Sequence, residues 1–500
     1  MKKSKLAAIN VFIGLFSQII VLALGFVVPK IIINNYGSDT NGLTNTISQI
    51  FTYIGLLEAG IGQATQNALY PVLKKDNHED ISKIMSISRR YYRKISVFYA
   101  IAVLAVAIVL PFVLKTSVDF MTIFFYVLFE GLTSLVGFYF TGLWSLFLNT
   151  SGKTYFTNIV SLLCRVLQNV VKIILALNGV NILFIQLGYF AVSLVSLAIY
   201  GIYMKKKYGW IDYSLSSKVD KLPDRNAYIV TEIAGAIFSG TDMIVLSIMV
   251  STSLSSVYSV YNMVFLAINA LINGVYNAIK YILGLTYAEN IEKYKKVHDA
   301  FNSLFLGAMT ICMCVSLWLT LPFVNLYTKG VSDINYIYEW LPFWFSLVQM
   351  LSMSRFVAGN LSGIAGYAKQ VSYASLTEAI VNIIGTVVLV YFFGIYGAII
   401  ATVVALPIKV IYVNYIAEKK IMKRSPFKTL LIFGINYLIF AGTAILCLFY
   451  KPNVNSYGIF IAWGFGLTAI YTVLVFGLNV AINKDLPPLF KMILKKRKEA

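Results

Sequence analysis

Long apolar stretches alternate with short polar stretches along the whole chain of 500 residues. Each apolar stretch reaches or exceeds the roughly 20 residues that an α-helix needs to cross the hydrocarbon core of a bilayer. The pattern therefore predicts an all-α integral membrane protein with about 14 transmembrane helices. We place these spans at 8–34, 40–72, 95–114, 120–148, 155–178, 181–204, 227–250, 254–287, 301–327, 336–363, 371–393, 395–417, 428–449 and 456–482.

A basic polar interruption at 205–226 divides twelve of these spans into two sets of six. Span 2 and span 8 are both long, both carry spaced amide side chains, and both run into a basic loop. Such internal similarity is common in transporters. We predict two pseudo-symmetric six-helix lobes and a C-terminal helix pair. The boundaries are an N-terminal lobe at 1–204, a cytoplasmic hinge loop at 205–226, a C-terminal lobe at 227–418, and two additional helices with a basic cytoplasmic tail at 419–500.

The distribution of charge agrees with this count. Only 12% of residues are charged, whereas a soluble domain has about 25%. The net charge is +20, and with the N-terminus inside, 32 of the 41 Lys and Arg residues fall on the inner side. Positive charge on inner loops is the usual topology signal, so we expect no nucleic acid partner. We predict a multi-pass protein of the bacterial cytoplasmic membrane with both termini cytoplasmic.

The remaining composition argues against catalysis and against a bound cofactor. The outer loops are short, which leaves no room for an enzymatic domain outside the membrane. All four cysteines lie inside apolar runs, and the two histidines, His78 and His298, lie in charged loops. No spacing typical of a disulfide framework or a metal site is present. We therefore expect a protein that is not an enzyme and has no cofactor and no metal.

Ionisable residues inside the spans are the main functional signal. A charged side chain at a helix centre costs about 2.5–3.5 kcal/mol on insertion scales, so such residues usually face a cavity or a partner. Polar side chains in spans 5, 7, 8, 10 and 11 repeat at helical spacing, which predicts a hydrated central cavity. The ionisable residues are Glu58, Glu130, Arg165, Lys172, Glu232, Asp242, Lys280, Arg355, Glu378 and Lys409.

The cations and neighbouring amides are our candidates for substrate binding. An arginine fork suits phosphate oxygens. Some of these side chains have structural interpretations as well. Lys280 and Lys409 lie near the inner ends of their spans, where they could snorkel to the headgroups, and Glu130 could pair with Lys172. The predicted substrate-binding residues are Arg165, Lys172, Lys280, Arg355, Asn269 and Asn273.

Three carboxylates are our candidates for ion coupling: Glu232, Asp242 and Glu378. A desolvated carboxylate can exchange a proton or help bind Na⁺, and H⁺ or Na⁺ is the candidate coupling ion. Glu232 and Asp242 are the strongest of the three because they share one span. The alternative is a structural ion pair with Arg355 or Lys280.

Several motifs resemble bacterial polysaccharide flippases of the Wzx type, in the multidrug/oligosaccharidyl-lipid/polysaccharide exporter (MOP) superfamily. The resemblance covers about residues 5–420. The motifs are Gly37-Ser-Asp-Thr-Asn-Gly-Leu, Glu58-Ala-Gly-Ile-Gly-Gln-Ala, Leu69-Tyr-Pro-Val-Leu, Ser239-Gly-Thr-Asp-Met-Ile-Val-Leu-Ser and Val257-Tyr-Ser-Val-Tyr-Asn.

The resemblance implies two lobes in a V shape, alternating access, and a polyprenyl-pyrophosphate-linked oligosaccharide as cargo for capsule, exopolysaccharide or O-antigen synthesis. It also implies membrane lipid, a polysaccharide polymerase and glycosyltransferases as partners. The lipid II flippase is a related fourteen-span protein whose last two helices help form a lipid groove. This chain departs from it in span 1, which has no arginine and carries only Lys30 near its outer end.

Other functions remain open at this stage. A lipid II-type flippase or a multidrug exporter could share this fold, although a multidrug pore should be acidic and aromatic. A membrane glycosyltransferase or polymerase would need catalytic residues in a longer outer loop. A non-transporting scaffold would have little reason to carry ten intramembrane charges.

Overall fold

The computed structural model describes residues 3–75, 77–215 and 240–489. Within these ranges, only the backbone is described at residues 3–16, 56–61, 63 and 278. Within these ranges all regular elements are helical, which confirms the predicted all-α membrane fold. Eleven of the described helical segments are long and apolar enough to cross a membrane. Glu232, residues 216–226 of the predicted hinge loop and the tail from 490 onwards lie outside the described residues, as does the side chain of Glu58.

The chain divides into two compact units, residues 1–256 and 257–500, and α8 runs through the division. The boundaries of the predicted lobes and hinge loop stay predictions. In unit 1 the short π-helix Val136–Gly142 joins α3 to α4, and α6 continues past the predicted end of its span. The helices that begin in unit 1 are α1 Lys3–Lys75, α2 His78–Val113, α3 Phe120–Leu135, α4 Leu143–Thr150, α5 Thr154–Leu177, α6 Ile182–Tyr208, α7 Gly240–Met249 and α8 Thr252–Ile279.

Unit 2 contains most of α8 and the rest of the described chain. A second π-helix, Ile416–Ile421, follows α14. Predicted span 10 is not one helix here, because α11 ends at Met353 and α12 begins at Phe356. The other helices are α9 Tyr281–Glu289, α10 Ile291–Tyr327, α11 Leu341–Met353, α12 Phe356–Ile364, α13 Ala368–Phe393, α14 Ile395–Tyr415, α15 Phe427–Phe449 and α16 Tyr457–Ile482.

Predicted spans 1 and 2 meet within the range α1, which consists of two helices on either side of a break. Gly37 has φ 83° and ψ 170°, outside the helical region. Glycine adopts positive φ without the clash that a Cβ would cause. The two helices therefore separate where we placed the loop at 35–39, and the break at Gly37 is narrower than that loop.

The C-terminal helix pair packs on α10 through buried amides. Asn436 of α15 and Asn479 of α16 exchange hydrogen bonds of 3.1 and 3.3 Å, and Thr310 of α10 donates to Asn436 at 3.0 Å. Amide pairs inside apolar helices hold neighbouring helices in register, because an unpaired polar group in hydrocarbon is costly. The outer faces of α15 and α16 are apolar and exposed, as in Leu438 and Val473, which is typical of a lipid-facing surface.

Candidate functional site

Arg355 lies in the break between α11 and α12, where it pairs with Glu378 of α13. Its Nη1 donates to Oε1 of Glu378, and Nζ of Lys409 on α14 lies 3.9 Å from the other carboxylate oxygen. Glu378 is only 2% exposed. Two predicted residues, one from the binding set and one from the coupling set, therefore form one ionic cluster together with Lys409.

The broken helix keeps its backbone groups satisfied through side chains of other helices. Asn414 of α14 donates to the carbonyl oxygen of Ser354 at 3.0 Å. The Ser354 hydroxyl donates to the Met350 carbonyl at 3.0 Å and lies 3.1 Å from the hydroxyl of Tyr437 on α15. Irregular backbone within a membrane needs such partners. The helix can therefore break at Ser354 and Arg355 while the carbonyl and hydroxyl groups of Ser354 keep hydrogen-bond partners.

Two predicted amides of α8 form a hydrogen-bonded chain in unit 2. Asn273 donates to Oδ1 of Asn269, and Asn269 donates to Oε1 of Gln349 on α11 at 2.5 Å. The side-chain oxygen of Asn273, Oδ1, is buried and has no hydrogen-bond partner among the described residues. Lys280, the last member of the same predicted stripe, lies exposed in the break between α8 and α9.

The predicted residues of unit 1 gather on α5, beside α3 and α6. Nζ of Lys172 lies 4.0 Å from the ring centroid of Tyr189 on α6, a cation–π contact. Glu130 of α3 interacts electrostatically with Lys172 and accepts a hydrogen bond from the buried Gln186 of α6. Arg165, two turns before Lys172, is exposed and interacts electrostatically with Tyr189. Glu130 thus has a neutral hydrogen-bond partner as well as a nearby cation.

The coupling candidates of span 7 are only partly described. Asp242 is buried on α7, with 8% of its surface exposed, and it interacts electrostatically with Tyr53 of α1. The Tyr53 hydroxyl lies 3.0 Å from that of Thr241. Asp242 therefore sits at a polar contact between α1 and α7, and Glu232 lies outside the described residues.

A second ionic cluster, which sequence reasoning missed, lies at one end of unit 2. Potential ligand atoms of His298, Asp299 and Glu418 fall within 4.8 Å of one another. Arg424 already lies between the two carboxylates, donating to Asp299 at 2.9 Å and to Glu418 at 2.7 Å. Burial opposes its charge, but hydrogen bonds to Glu418 and Asp299 raise the pKa of Arg424 above its ordinary value. The guanidinium therefore already pairs with both carboxylates of this group.

A cavity of about 540 Å³ opens between the end of α10, the start of α11 and the end of α15. Aromatic side chains, including Trp318, Trp340 and Phe343, form much of its wall, and the ion pair Glu339–Lys451 lies at its edge. None of the predicted site residues lines this cavity.

Comparison with known proteins relates the chain to membrane transporters through structure. No family model matches the chain, and no curated protein matches its sequence. A structure of the lipid II flippase MurJ in an inward closed conformation superposes with a TM-score of 0.67 at 14% identity, covering 93% of this chain and 98% of that one.

Multidrug transporters show the same fold. An inward-facing MATE transporter of the MOP superfamily superposes with a TM-score of 0.63 at 12% identity, covering 87% of this chain and 98% of that one. The MATE multidrug transporter DinF-BH gives a TM-score of 0.60 at 16% identity over 85% and 97% of the two chains. The chain therefore has the fold of these transporters.

Proposed function

We propose that this protein is a flippase that moves polyprenyl-pyrophosphate-linked oligosaccharide units across the cytoplasmic membrane by alternating access. The supporting observation is the cluster in which Arg355 and Lys409 share one buried carboxylate, Glu378. These three groups carry two positive charges and one negative charge. An excess of positive charge among membrane-spanning helices suits an anionic cargo, because a pyrophosphate needs positive partners in a low-dielectric region.

The cluster of unit 1 has the same balance of charge. Arg165 and Lys172 carry two positive charges beside the single negative charge of Glu130. The sugar hydroxyls of the cargo would need hydrogen-bonding groups, and the Asn269–Asn273 chain offers amides, including the buried oxygen of Asn273. In this proposal the cations hold the pyrophosphate, the amides hold sugar, and the prenyl tail stays in lipid.

Glu378 links binding to ion coupling in this proposal. While ionised, it holds Arg355 and competes with phosphate for the same guanidinium. Neutralising Glu378 with a proton, or screening it with Na⁺, would release Arg355 to the cargo. The coupling ion would then set the affinity for the cargo, which is a means of driving a transport cycle.

The decisive experiment is transport in proteoliposomes of defined lipid composition. The purified protein is reconstituted, and translocation of a fluorescent polyprenyl-pyrophosphate-linked oligosaccharide is followed beside efflux of an organic cation such as ethidium. We expect movement of the lipid-linked sugar and no efflux of the cation. Efflux of the cation without movement of the sugar would support the multidrug alternative that the MATE-like fold favours.

A control separates a lipid II-type flippase from a polysaccharide flippase. Lipid II is offered in the same assay at the same concentration as the oligosaccharide lipid. Equal rates for both would mean that the protein recognises the shared pyrophosphate–prenyl portion. Transport of lipid II alone would replace our proposed cargo with the substrate named for the MurJ structure.

A further inference from the structure

Helix α2 is longer than a membrane requires and has a distinct exposed face. Its 36 residues span about 54 Å at 1.5 Å per residue, whereas the hydrocarbon core measures about 30 Å. Apolar side chains spaced along one face of its C-terminal half are largely exposed. Val97 is 57% exposed, Phe98 67%, Ile101 59%, Ile108 53% and Phe112 76%. This face contacts lipid, because no other described part of the protein covers it.

Four basic side chains precede that face towards the start of the helix, and two of them continue it. Arg89, Arg90, Arg93 and Lys94 are all exposed, and their spacing keeps them within a turn and a half. At 100° per residue, Arg90 and Lys94 lie on the centre line of the lipid-facing apolar stripe, whereas Arg93 lies about 85° and Arg89 about 125° to one side of it. We call these four residues the α2 basic stripe.

The length of the apolar stripe places the basic stripe at headgroup level. Lys94 and Phe112 are eighteen positions apart, which corresponds to about 27 Å along the helix axis. That distance is close to one hydrocarbon thickness. With Phe112 at one edge of the hydrocarbon, the α2 basic stripe lies in the phosphate layer at the other edge.

Two of the four arginine and lysine side chains are held in place by the segment that follows α6. The Arg89 guanidinium lies 4.7 Å from the ring centroid of Tyr213. Nη2 of Arg90 donates to the Leu215 carbonyl at 3.2 Å. Ser86 of α2 donates to the Tyr213 carbonyl at 2.7 Å, which fixes the segment against the helix. Oriented guanidinium groups lose less freedom when they bind a phosphate.

Among the described residues, nearby carboxylates do not cancel this charge. Glu79 and Asp80, in the first turn of α2, pair with Lys83 at 2.7 and 3.5 Å and lie more than two turns from Arg89. Asp212, in the docked segment, accepts hydrogen bonds from the backbone and hydroxyl of Ser214. Asp212 is the one carboxylate in the described part of the docked segment, whereas the α2 basic stripe carries four positive charges.

We propose that the α2 basic stripe binds the phosphate groups of anionic phospholipids in the adjoining leaflet. The chemistry is a charge-assisted hydrogen bond from guanidinium or ammonium to a phosphate diester. A phospholipid fits better than a free phosphate, because the acyl chains of the same molecule lie along Val97, Phe98 and Ile101 directly below the stripe. Juxtamembrane clusters of this size have the charge that anionic leaflets attract. The inference is independent of the proposed transport function.

The test measures lipid binding by the purified full-length protein in detergent. Phosphatidylglycerol or phosphatidylcholine with identical acyl chains is added in increasing mole fraction, and the midpoint of thermal unfolding is recorded. We expect phosphatidylglycerol to raise the midpoint more than phosphatidylcholine does. Glycerol phosphate without acyl chains, at the same concentration, should leave it unchanged.

The variant Arg93→Gln/Lys94→Gln tests the assignment to this helix. Each cation near an anionic surface contributes about 1 kcal/mol, so losing two should raise the half-saturating mole fraction of phosphatidylglycerol roughly tenfold or more. The matched control Lys419→Gln/Lys420→Gln removes two exposed cations from the π-helix after α14 and should leave the value unchanged.

Three outcomes would overturn the inference. The first is equal stabilisation by both lipids, and the second is an equal loss of binding in both variants, which would show that total charge decides the effect. The third is a full response to glycerol phosphate, which would show a phosphate site that needs no membrane. If the Arg93/Lys94 variant does not fold, Arg93→Lys with Lys94→Gln retains one cation and should show an intermediate, several-fold shift.

Discussion

Substitutions of Arg355 and its partner Glu378 together distinguish a ligand-binding role of Arg355 from a purely structural ion pair. In Arg355→Ala, the carboxylate of Glu378 stays buried and keeps only the more distant contact with Lys409, at 3.9 Å. Breaking a buried pair from one side costs about 3–5 kcal/mol, because the remaining charge is left uncompensated. Lys409 offsets part of that cost, so we expect a loss of stability of about 3 kcal/mol. This single variant would lose transport under either role.

Removing the carboxylate as well resolves the ambiguity. Glu378→Gln alone releases Arg355 from its partner, whereas Arg355→Gln/Glu378→Gln removes both charges and retains amides that can hydrogen-bond. Replacing both members of a buried pair is often close to neutral for stability. The double variant should therefore fold. Glu378→Gln leaves Arg355 and Lys409 without their carboxylate, but these cations are 18% and 24% exposed, so its loss of stability should be smaller than that of Arg355→Ala. The two variants differ only in the presence of the guanidinium.

The assay is binding of a short-chain polyprenyl diphosphate to each variant in detergent. Glu378→Gln should bind at least as tightly as the unaltered protein, because the competing carboxylate is gone. A hydrogen bond to a charged group is worth about 1.5–3 kcal/mol, so Arg355→Gln/Glu378→Gln should bind about ten- to a hundredfold more weakly. Equal affinities of these two variants would refute the binding role of Arg355.

Other parts of the molecule give four further tests. Gly42→Ala should destabilise the protein by about 1–3 kcal/mol in thermal unfolding, because a Cβ there would lie 1.7 Å from the Thr252 carbonyl oxygen. The control Gly55→Ala, where a Cβ meets nothing within 4 Å, should leave the stability unchanged. Arg424→Ala should cost about 3 kcal/mol, because buried Glu418 loses its cation while Asp299 keeps Lys428 at 3.3 Å. Lys451→Ala, which breaks an exposed pair, should cost less than about 1 kcal/mol in the same measurement. Asp242→Asn should slow transport at unchanged expression, and normal transport would remove Asp242 from the coupling residues. A cysteine at Asn453 should react with an impermeant thiol reagent in intact cells and one at Ser425 should not; the reverse pattern would invert the predicted topology.

The helices could be predicted from sequence because hydropathy and length determine them directly. At 35–39, Gly37-Ser-Asp-Thr-Asn-Gly has the composition of a loop. In the structure two helices separate there, but the break is confined to Gly37, which takes a positive φ. Composition indicates where the chain can leave a helix, but it does not distinguish a local break from a connecting loop.

The partners of the site residues could not be predicted from sequence. Helical spacing placed Arg355 and Glu378 on polar faces of their own helices, yet periodicity does not determine which faces meet. Their contact depends on the break between α11 and α12, which carries no proline or glycine at residues 354–355. Arg424 was missed for a different reason. Its segment is strongly basic, which usually indicates a solvated loop, but packing of α10 and α15 buries the Asp299–Glu418–Arg424 contacts.

The carboxylate of the unit 2 cluster is more deeply buried than its two cations, and this bears on the proposed mechanism. Glu378 has 3% of its side chain exposed, whereas Arg355 has 18% and Lys409 24%. In unit 1, Glu130 and Lys172 are both partly buried, whereas Arg165 is exposed. An internal carboxylate lowers the cost of keeping cations in the membrane when no cargo is bound. Because Arg355, Lys409 and Arg165 are more exposed than the carboxylates beside them, we expect an incoming anion to meet these cations first. In the proposed transport cycle, the carboxylates would hold this positive charge in place until a pyrophosphate exchanges with them.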